Sequence, residues 1–446
     1  MKMLLLHCSF GLVVFATMAP VMADNWPRWR GPDGTGVSTE KNLPLKWSAS
    51  ENVRWRVELP ERGNSSPIVW DDRVFVTQAV SAENHRTLMC FDRANGKLLW
   101  QSGATYTERE QTQRDNPYCS ATPVTDGERI IASFGSAGLN CYDFAGKELW
   151  HRDLGKMNHM FGSASSPIIT GDLCVLNFGP DEKARLVAVN KRTGEIAWET
   201  QPPKIEVSEP PRGPGGPGGG FGSPGGGRGF GRGGRGGGGG SWSTPLLIVV
   251  AGHEELVINT PGSLVAYEPK TGKELWLSKG LGSTVYSSPV WGENTLVALS
   301  AGMGGGSAIA VKPGGSGDVT ESQRVWRVER VKSGIGSGVI FDGYFYTLSQ
   351  DGIAECTDLK SGASVWSERL QGSGSRGSSW SSLLLADGKI YAPNQGGDVF
   401  VLRAAPKFEV LATNSVNEST NASLAVGEGE LFLRTDKSLW CFATAK

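Results

Sequence analysis

Histidine, serine and glycine are the residues from which a catalytic or ligand site would most readily be built, and their spacing in this 446-residue chain is informative. Beyond the first residues the histidines are His85, His151, His159 and His253, and no two stand at the short spacing of a zinc site. There is no Gly-x-Ser-x-Gly nucleophile motif. The glycine runs lack the Lys-Ser/Thr that ends a phosphate-binding loop. The sequence therefore predicts no catalytic residue and no metal site.

Ligand binding by aromatic rings is indicated instead by a recurring position. Eight segments open with a pair of small residues, and in five of them a proline follows, as in Ser65-Ser66-Pro67. The position three residues before the proline slot holds Asn64, Ser120, Ala164, Trp242, Tyr286, Ile335, Trp380 and Asn421. Large rings at a position that otherwise holds small residues indicate a contact surface.

We therefore predict a binding rim formed by Tyr118, Phe161, Trp242, Tyr286 and Trp380. The alternative is that these rings pack against neighbouring loops. The charged loop Tyr106–Asn116 is expected on the same side.

The elements that position these residues are repeats. Similar segments end in tryptophan, as from Ala188 to Trp198 and from Ala266 to Trp276. The tryptophans of this series are Trp55, Trp100, Trp150, Trp198, Trp276, Trp326 and Trp366. A period of roughly 40–50 residues with short strands predicts the blades of a β-propeller. We interpret the seven rings as structural residues that dock between blades, because each can bury a large apolar area.

Each repeat predicts four short antiparallel strands. Asp126-Gly127 and Asp387-Gly388 stand between apolar runs and are typical of hairpin turns. Eight openings predict eight blades, but the last repeat ends after three strands. The segment from Val53 to Leu59 precedes the first opening and carries Trp55, so we predict that it supplies the missing strand and closes the ring. The predicted fold class is all-β, an eight-bladed propeller.

Domain boundaries follow from composition. Residues 1–23 have a short basic start, an apolar run and a small-residue cleavage signal, which predicts a signal peptide and an exported protein. We predict one propeller domain over residues 24–446. Residues 202–240 are rich in Gly, Pro and Arg, and such a segment inserted in the domain is predicted to be disordered.

Charge and cysteine content narrow the class of protein further. The 44 basic and 45 acidic residues balance, which argues against a nucleic-acid partner. No apolar run is long enough to predict a transmembrane span. Cys90, Cys141 and Cys356 share a repeat position with Ala188 and its equivalents, so we expect mostly unpaired, structural cysteines. The pairing of Cys119 and Cys174 stays open.

The Ala-x-Asp-x-x-Thr-Gly-Lys-x-x-Trp type of repeat resembles the tryptophan docking motif of quinoprotein (PQQ-like) β-propellers, over most of the chain from about Trp26 to Phe442. That family includes dehydrogenases that carry pyrroloquinoline quinone (PQQ) and BamB-type scaffolds of outer-membrane assembly. The opening Trp26-Pro-Arg-Trp-Arg-Gly-Pro32 is similar to secreted planctomycete-type members. The dehydrogenases typically use an adjacent cysteine pair, and this chain has no Cys-Cys.

The resemblance and this departure together favour a non-catalytic, BamB-like scaffold that binds proteins in the periplasm, at the cell surface or outside the cell. Envelope or outer-membrane proteins are the expected partners, no cofactor is expected, and the protein is expected to be a monomer. A PQQ-dependent oxidoreductase and a carbohydrate-binding propeller are the alternatives.

Overall fold

The computed structural model describes residues 25–205, 207, 239–301, 306–332, 334–372 and 377–444. The predicted signal peptide at 1–23 lies outside the described residues, as does most of the insertion predicted at 202–240. Of that insertion, residues 202–205, 207, 239 and 240 are described. The side chain of Ile205 packs directly against Gly262 of blade 4.

Eight four-stranded antiparallel sheets form the blades, and in blades 1 to 7 the strands follow chain order from the axis outward. The strands of blade 1 are Ile68–Trp70, Arg73–Val80, His85–Asp92 and Leu98–Thr105, and those of blade 2 are Val124–Thr125, Ile130–Ser133, Leu139–Tyr142 and Glu148–Arg152. The strands of blade 3 are Ile168–Thr170, Leu173–Phe178, Arg185–Asn190 and Ile196–Thr200, and those of blade 4 are Leu246–Val250, His253–Thr260, Ser263–Tyr267 and Glu274–Lys279. The strands of blade 5 are Val290–Gly292, Thr295–Leu299, Gly306–Val311 and Arg324–Val331, and those of blade 6 are Val339–Phe341, Tyr344–Leu348, Ile353–Asp358 and Ser364–Arg369. The strands of blade 7 are Leu384–Ala386, Lys389–Pro393, Asp398–Arg403 and Val410–Ser415. This confirms the predicted eight-bladed fold.

Blade 8 joins the two ends of the chain. Its inner strands are Ala425–Gly427, Glu430–Arg434 and Ser438–Phe442, and its outermost strand is Val53–Glu58. The strands Val53–Glu58 and Ser438–Phe442 pair in antiparallel fashion, with Trp55 opposite Cys441. The predicted ring closure is therefore confirmed, and it pairs a sheet edge that would otherwise be open.

Burial follows each strand's place in its blade. The second strand of blade 1, Arg73–Val80, is buried at every position but its ends, whereas the outermost strand, Leu98–Thr105, alternates between exposed and half-buried residues. The core lies in layers between adjacent blades, as where Phe75 and Cys90 of blade 1 meet Ile130 of blade 2. All six described cysteines are buried and unpaired.

The repeat tryptophans contact the blade that follows. Trp55, Trp100, Trp150, Trp198, Trp326 and Trp366 each donate an indole N–H to a backbone carbonyl of the next blade, at 2.7–3.1 Å. The Trp55 ring also covers Gly96, which has a φ of +74° and where a β-carbon would lie 2.7 Å from that ring. Glycine therefore serves both the turn and the close approach of the ring.

Trp276 of blade 4 differs from the other six. Its indole donates to Glu255 Oε2 at 2.8 Å within its own blade. The short strand Gly317–Asp318 pairs with Trp276 and Leu277 and comes from an insertion in blade 5. As a result the Trp276 ring is fully buried.

Five further short elements of the described residues do not belong to the four-stranded sheets. Val37–Ser38 pairs in parallel with blade 7, and Gly240–Ser241 pairs with Thr284–Val285. Two single-turn 3₁₀ helices are Ser81–Glu83 and Gly135–Ala137. Within the described ranges, no helix has the length and apolarity that crossing a membrane would require.

Candidate functional site

The recurring position identified in the sequence lines one cavity on the propeller axis. All eight of its side chains contribute, and the cavity volume is about 830 Å³. The eight are Asn64, Ser120, Ala164, Trp242, Tyr286, Ile335, Trp380 and Asn421. Because they precede the innermost strands, the chain brings one residue per blade to the same end of the axis. We call this space the axial cavity.

A closed ring of hydrogen bonds lies next to these positions. In each blade the backbone N–H of the second small residue donates to the hydroxyl of the equivalent residue in the next blade, at 2.7–3.0 Å. The ring members are Ser66, Thr122, Ser166, Thr244, Ser288, Ser337, Ser382 and Ser423, and all but Ser337 line the axial cavity. Sequence reasoning missed this ring, although the repeated hydroxyl at one slot was a visible signal.

Aromatic rings form the wall of the cavity at blades 3 to 5. Trp242 is buried and donates its indole N–H to Gly162 O at 2.8 Å. Its ring centroid lies 5.1 Å from Tyr286, 6.1 Å from Phe161 and 5.0 Å from His159. Trp242 therefore fixes the half-buried Tyr286 and Phe161 rings at the cavity surface.

His159 is held neutral behind this wall. Its Nδ1 accepts the Phe161 N–H at 3.2 Å, which places the ring proton on Nε2. Burial lowers the pKa of His159 below its usual value, and Asp181 opposes that shift. The imidazole thus acts as an aromatic packing group at neutral pH.

Four of the five predicted rim residues lie together and one lies elsewhere. Phe161, Trp242, Tyr286 and Trp380 all line the axial cavity. The Tyr118 ring instead packs on Arg86, whose guanidinium carbon lies 4.3 Å from the ring centroid. Tyr118 therefore supports the neighbouring loop and is not among the residues that line the cavity.

We call the loop Tyr106–Asn116 the mouth loop. A buried ion pair between its Glu110 and Arg86 of blade 1 holds it against that blade. Arg86 Nη1 lies 2.5 Å from Glu110 Oε2, and both side chains are almost fully buried. The same nitrogen donates to Phe134 O at 2.6 Å. Tyr106 and Tyr118 sandwich the guanidinium. A charge so paired and stacked fixes the base of the loop.

Amide side chains fasten the tip of the mouth loop across the cavity entrance. Asn64 and Asn421 each donate to Asp115 O, at 2.8 and 3.1 Å. Asn116 donates to Phe161 O at 2.7 Å. The loop thereby links blades 1, 3 and 8, and it adds Gln113, Asp115 and Asn116 to the cavity lining.

The other end of the axis is covered by residues 26–38, the floor segment. Trp26 forms a backbone bridge with Val69, and Val37–Ser38 pairs with Leu385 and Ala386. These contacts are made along the inner strands Ile68–Trp70 and Leu384–Ala386, whereas the cavity-lining residues precede the starts of the inner strands. Trp29 of this segment also lines the cavity. The sequence had marked this segment only for its resemblance, not for a place at the site.

A buried arginine holds the floor segment in place. Arg30 donates to the backbone carbonyls of Gly34, Thr35, Ser337 and Gly338. Burial lowers its pKa to about 9. Its hydrogen bonds to blade 6 fix the floor relative to the ring of hydroxyls.

The polar lining of the axial cavity is neutral or acidic. Apart from hydroxyls and indole N–H groups, the polar side chains described there are amides and the two carboxylates of Asp115 and Asp351. Among the described residues that line it there is no lysine or arginine. A smaller adjoining pocket of about 330 Å³ does contain cations, Arg62 and Arg114.

This donor set does not fit the quinone cofactor of the propeller dehydrogenases. PQQ is a tricarboxylic acid, and the described lining offers it no cationic side chain. The described residues also contain no cluster of three or more His, Cys, Asp or Glu that could hold its metal ion. None of the described cysteines is among the cavity-lining residues.

Comparison with known proteins gives the family and the fold. The family model described as outer membrane protein assembly factor BamB matches residues 32–160, 79–210 and 233–446. The outer membrane protein assembly factor BamB of Yersinia pestis is 21% identical over 303 residues, which is 64% of this chain. The match likewise spans 64% of that relative's length.

Two solved structures share the fold at low sequence identity. BamB from Moraxella catarrhalis is 12% identical with a TM-score of 0.59, over 87% of this chain and 96% of that one. A quinohemoprotein alcohol dehydrogenase from Comamonas testosteroni is 13% identical with a TM-score of 0.62, over 95% of this chain and 81% of that one. At these identities the likeness concerns the fold alone.

Proposed function

The chain belongs to the family of the outer membrane protein assembly factor BamB, and from that membership we propose that it is a non-catalytic scaffold that binds envelope or outer-membrane proteins. The family favours a scaffold role in general. The specific partner and a monomeric working state are part of the proposal.

The mouth loop is the observation that carries this proposal. Glu108, Arg109 and Arg114 are exposed on it, while its base and tip are fixed by Arg86 and by amide hydrogen bonds. A loop that is ordered before binding loses little conformational entropy on association. Exposed charges of both signs provide specificity and orientation more than affinity. The mouth loop is therefore suited to recognise a folded protein surface.

The test is site-specific photocrosslinking in cells from position 111, which holds the exposed Gln111 of the mouth loop, followed by identification of the captured proteins. We expect crosslinks to outer-membrane assembly components, and we expect them to be lost when Glu108, Arg109 and Arg114 are changed to alanine with the photoprobe at the same position. Crosslinks confined to unrelated soluble proteins would contradict the proposal.

A matched control removes three exposed charges from the opposite face. Lys97, Lys147 and Lys273 are exposed and follow the turn glycines of blades 1, 2 and 4. Their triple alanine variant should crosslink from position 111 as the wild type does. Equal loss in both variants would show that the effect is not specific to the mouth loop.

The quinoprotein alternative has its own test. Since the lining residues that the structure describes include no lysine or arginine, we expect incubation with PQQ and calcium to give no tight complex and no dye-linked alcohol oxidation. Absorbance after gel filtration measures retention of the quinone. Stoichiometric retention with activity would replace the scaffold proposal by an enzymatic one.

Export to the envelope is the remaining part of the proposal. Cleavage after residue 23 predicts a mature N-terminus at Asp24. Mass spectrometry of the protein from envelope and secreted fractions checks this, and an intact Met1 in the cytoplasmic fraction would contradict it.

A further inference from the structure

The axial cavity has a chemistry that the scaffold proposal does not use. Its volume of about 830 Å³ falls within the roughly 300–1,000 Å³ of small-molecule sites. The floor segment covers one end, and the mouth loop borders the other. A ligand in this cavity would be enclosed on its sides by all eight blades.

The aromatic wall offers ring faces that are fixed in advance. Phe161 and Tyr286 are half-buried and are held by the buried Trp242. Trp380 is half-buried on the blade 7 side of the same cavity. Flat apolar faces of this kind pack against flat ligands that carry C–H groups on their faces, and the fixed rings lose little entropy on contact.

The polar lining suits a ligand rich in hydroxyl groups. Amide side chains such as Gln113 and Gln350 can both donate and accept, and the carboxylates of Asp115 and Asp351 accept. The ring hydroxyls accept a backbone N–H through their oxygen, and within the described residues no protein acceptor takes their protons. A ligand with hydroxyl groups, which both donate and accept hydrogen bonds, can bond to the amides, the carboxylates and the ring hydroxyls alike.

Charge excludes several other ligand classes. Since the described lining has two carboxylates and no lysine or arginine, phosphates, nucleotides and acidic polymers would be repelled there, and the cations Arg62 and Arg114 lie in the adjoining pocket instead. A purely apolar ligand would leave the amides and hydroxyls without partners at a cost. The ligand should be uncharged, polyhydroxylated and flat on at least one face.

We infer that the axial cavity binds a neutral oligosaccharide, with pyranose rings stacked on Tyr286, Phe161 and Trp380 and their hydroxyls bonded to the amides and hydroxyls of the lining. The mouth loop contributes Gln113, Asp115 and Asn116 to this cavity, but its exposed charged side chains Glu108, Arg109 and Arg114, on which the scaffold proposal rests, are not among the cavity-lining residues. Failure of either proposal would leave the other standing.

Intrinsic fluorescence titration and calorimetry of the full mature protein test this inference. The probes are maltohexaose, cellohexaose, mannohexaose and chitohexaose, with an oligogalacturonic acid as the acidic counterpart. We expect at least one neutral hexasaccharide to bind saturably and the acidic one to bind more weakly. Absence of binding by every neutral hexasaccharide at millimolar concentration would overturn the inference.

Two variants locate the site. Trp380→Ala should weaken binding of that hexasaccharide by about tenfold or more, and Tyr286→Phe by about three- to tenfold. Tyr344→Phe is the matched control, because it removes a hydroxyl from a half-buried ring that is outside the cavity lining, and it should bind as the wild type does.

The variants also distinguish loss of a binding contact from loss of the fold. Tyr286→Phe keeps the ring and its packing, so its result stands even where Trp380→Ala is poorly folded by near-UV circular dichroism. Wild-type affinity in both folded variants would overturn the inference, as would tighter binding of an aromatic-rich peptide than of any glycan at this cavity.

Discussion

Replacement of Trp276 by alanine should destabilise the propeller more than the equivalent change in any partly exposed repeat tryptophan. The Trp276 ring is fully buried, because Gly317–Asp318 from blade 5 covers it. An indole buries ~150–250 Å², and at ~25 cal/mol per Å² this corresponds to about 4–6 kcal/mol as an upper bound. Measured Trp→Ala changes in cores cost ~3–5 kcal/mol, so we expect a loss of about 4 kcal/mol.

Trp276→Phe separates the apolar area from the hydrogen bond. Phenylalanine keeps most of the ring contacts but removes the N–H that donates to Glu255 Oε2 at 2.8 Å. Burial already raises the pKa of Glu255, and the Trp276 hydrogen bond opposes that rise. Loss of the donor at a buried acceptor should cost about 1–3 kcal/mol.

Trp366→Ala is the matched control, because this ring is half-buried and donates to Ala405 O at 3.1 Å. It should cost about 2 kcal/mol, in proportion to the smaller area buried. The assay is urea unfolding followed by far-UV circular dichroism, with free energies compared at matched m-values. Equal losses for Trp276→Ala and Trp366→Ala, or a loss below about 1 kcal/mol for Trp276→Ala, would refute the reasoning from burial.

The remaining predictions concern charged groups. Glu430→Gln breaks its buried ion pair with Arg93, 2.7 Å apart between blades 8 and 1, and should cost about 3 kcal/mol in urea unfolding; an unchanged midpoint would contradict a role in closure. Arg86→Met leaves Glu110 without its cation and should speed hydrogen exchange in the mouth loop while distant blades exchange as before; unchanged exchange would contradict the anchor. The pKa of His159 is lowered in the folded state, so its stabilising contribution is complete above ~6.5 and is lost as the pH falls through the folded pKa. Melting temperatures from pH 7.5 to 5 should fall more for the wild type than for His159→Phe, and parallel curves would contradict this.

The propeller could be predicted because its determinants are local and repeated. A tryptophan such as Trp198 at the end of each unit, a turn glycine such as Gly194 and a small-residue opening are all visible in the sequence. Eight openings imply eight blades, and the lone N-terminal Trp55 strand implies closure. Eight of the residues that line the axial cavity share one recurring position, because equivalent residues of a ring lie at one height along its axis. The sequence predicted a contact surface from the three large aromatic residues at this position, Trp242, Tyr286 and Trp380.

The remainder of the site depends on contacts between residues distant in the chain. Tyr118 was assigned to the rim from the sequence, but its ring packs against the guanidinium group of Arg86 and does not line the cavity. The floor segment reaches the axis only because Arg30 bonds to carbonyls of blade 6, more than three hundred positions away in the sequence. Trp276 is covered by an insertion of the following blade.

The sequence alone thus determined the four-stranded blade, the number of blades and one recurring position that lines the axial cavity, since each depends on short-range periodicity. Tertiary structure alone decided which end of the axis is covered, how the mouth loop is held and that the lining carries no described cation. These properties depend on which side chains from different blades find each other, and no local pattern encodes that choice.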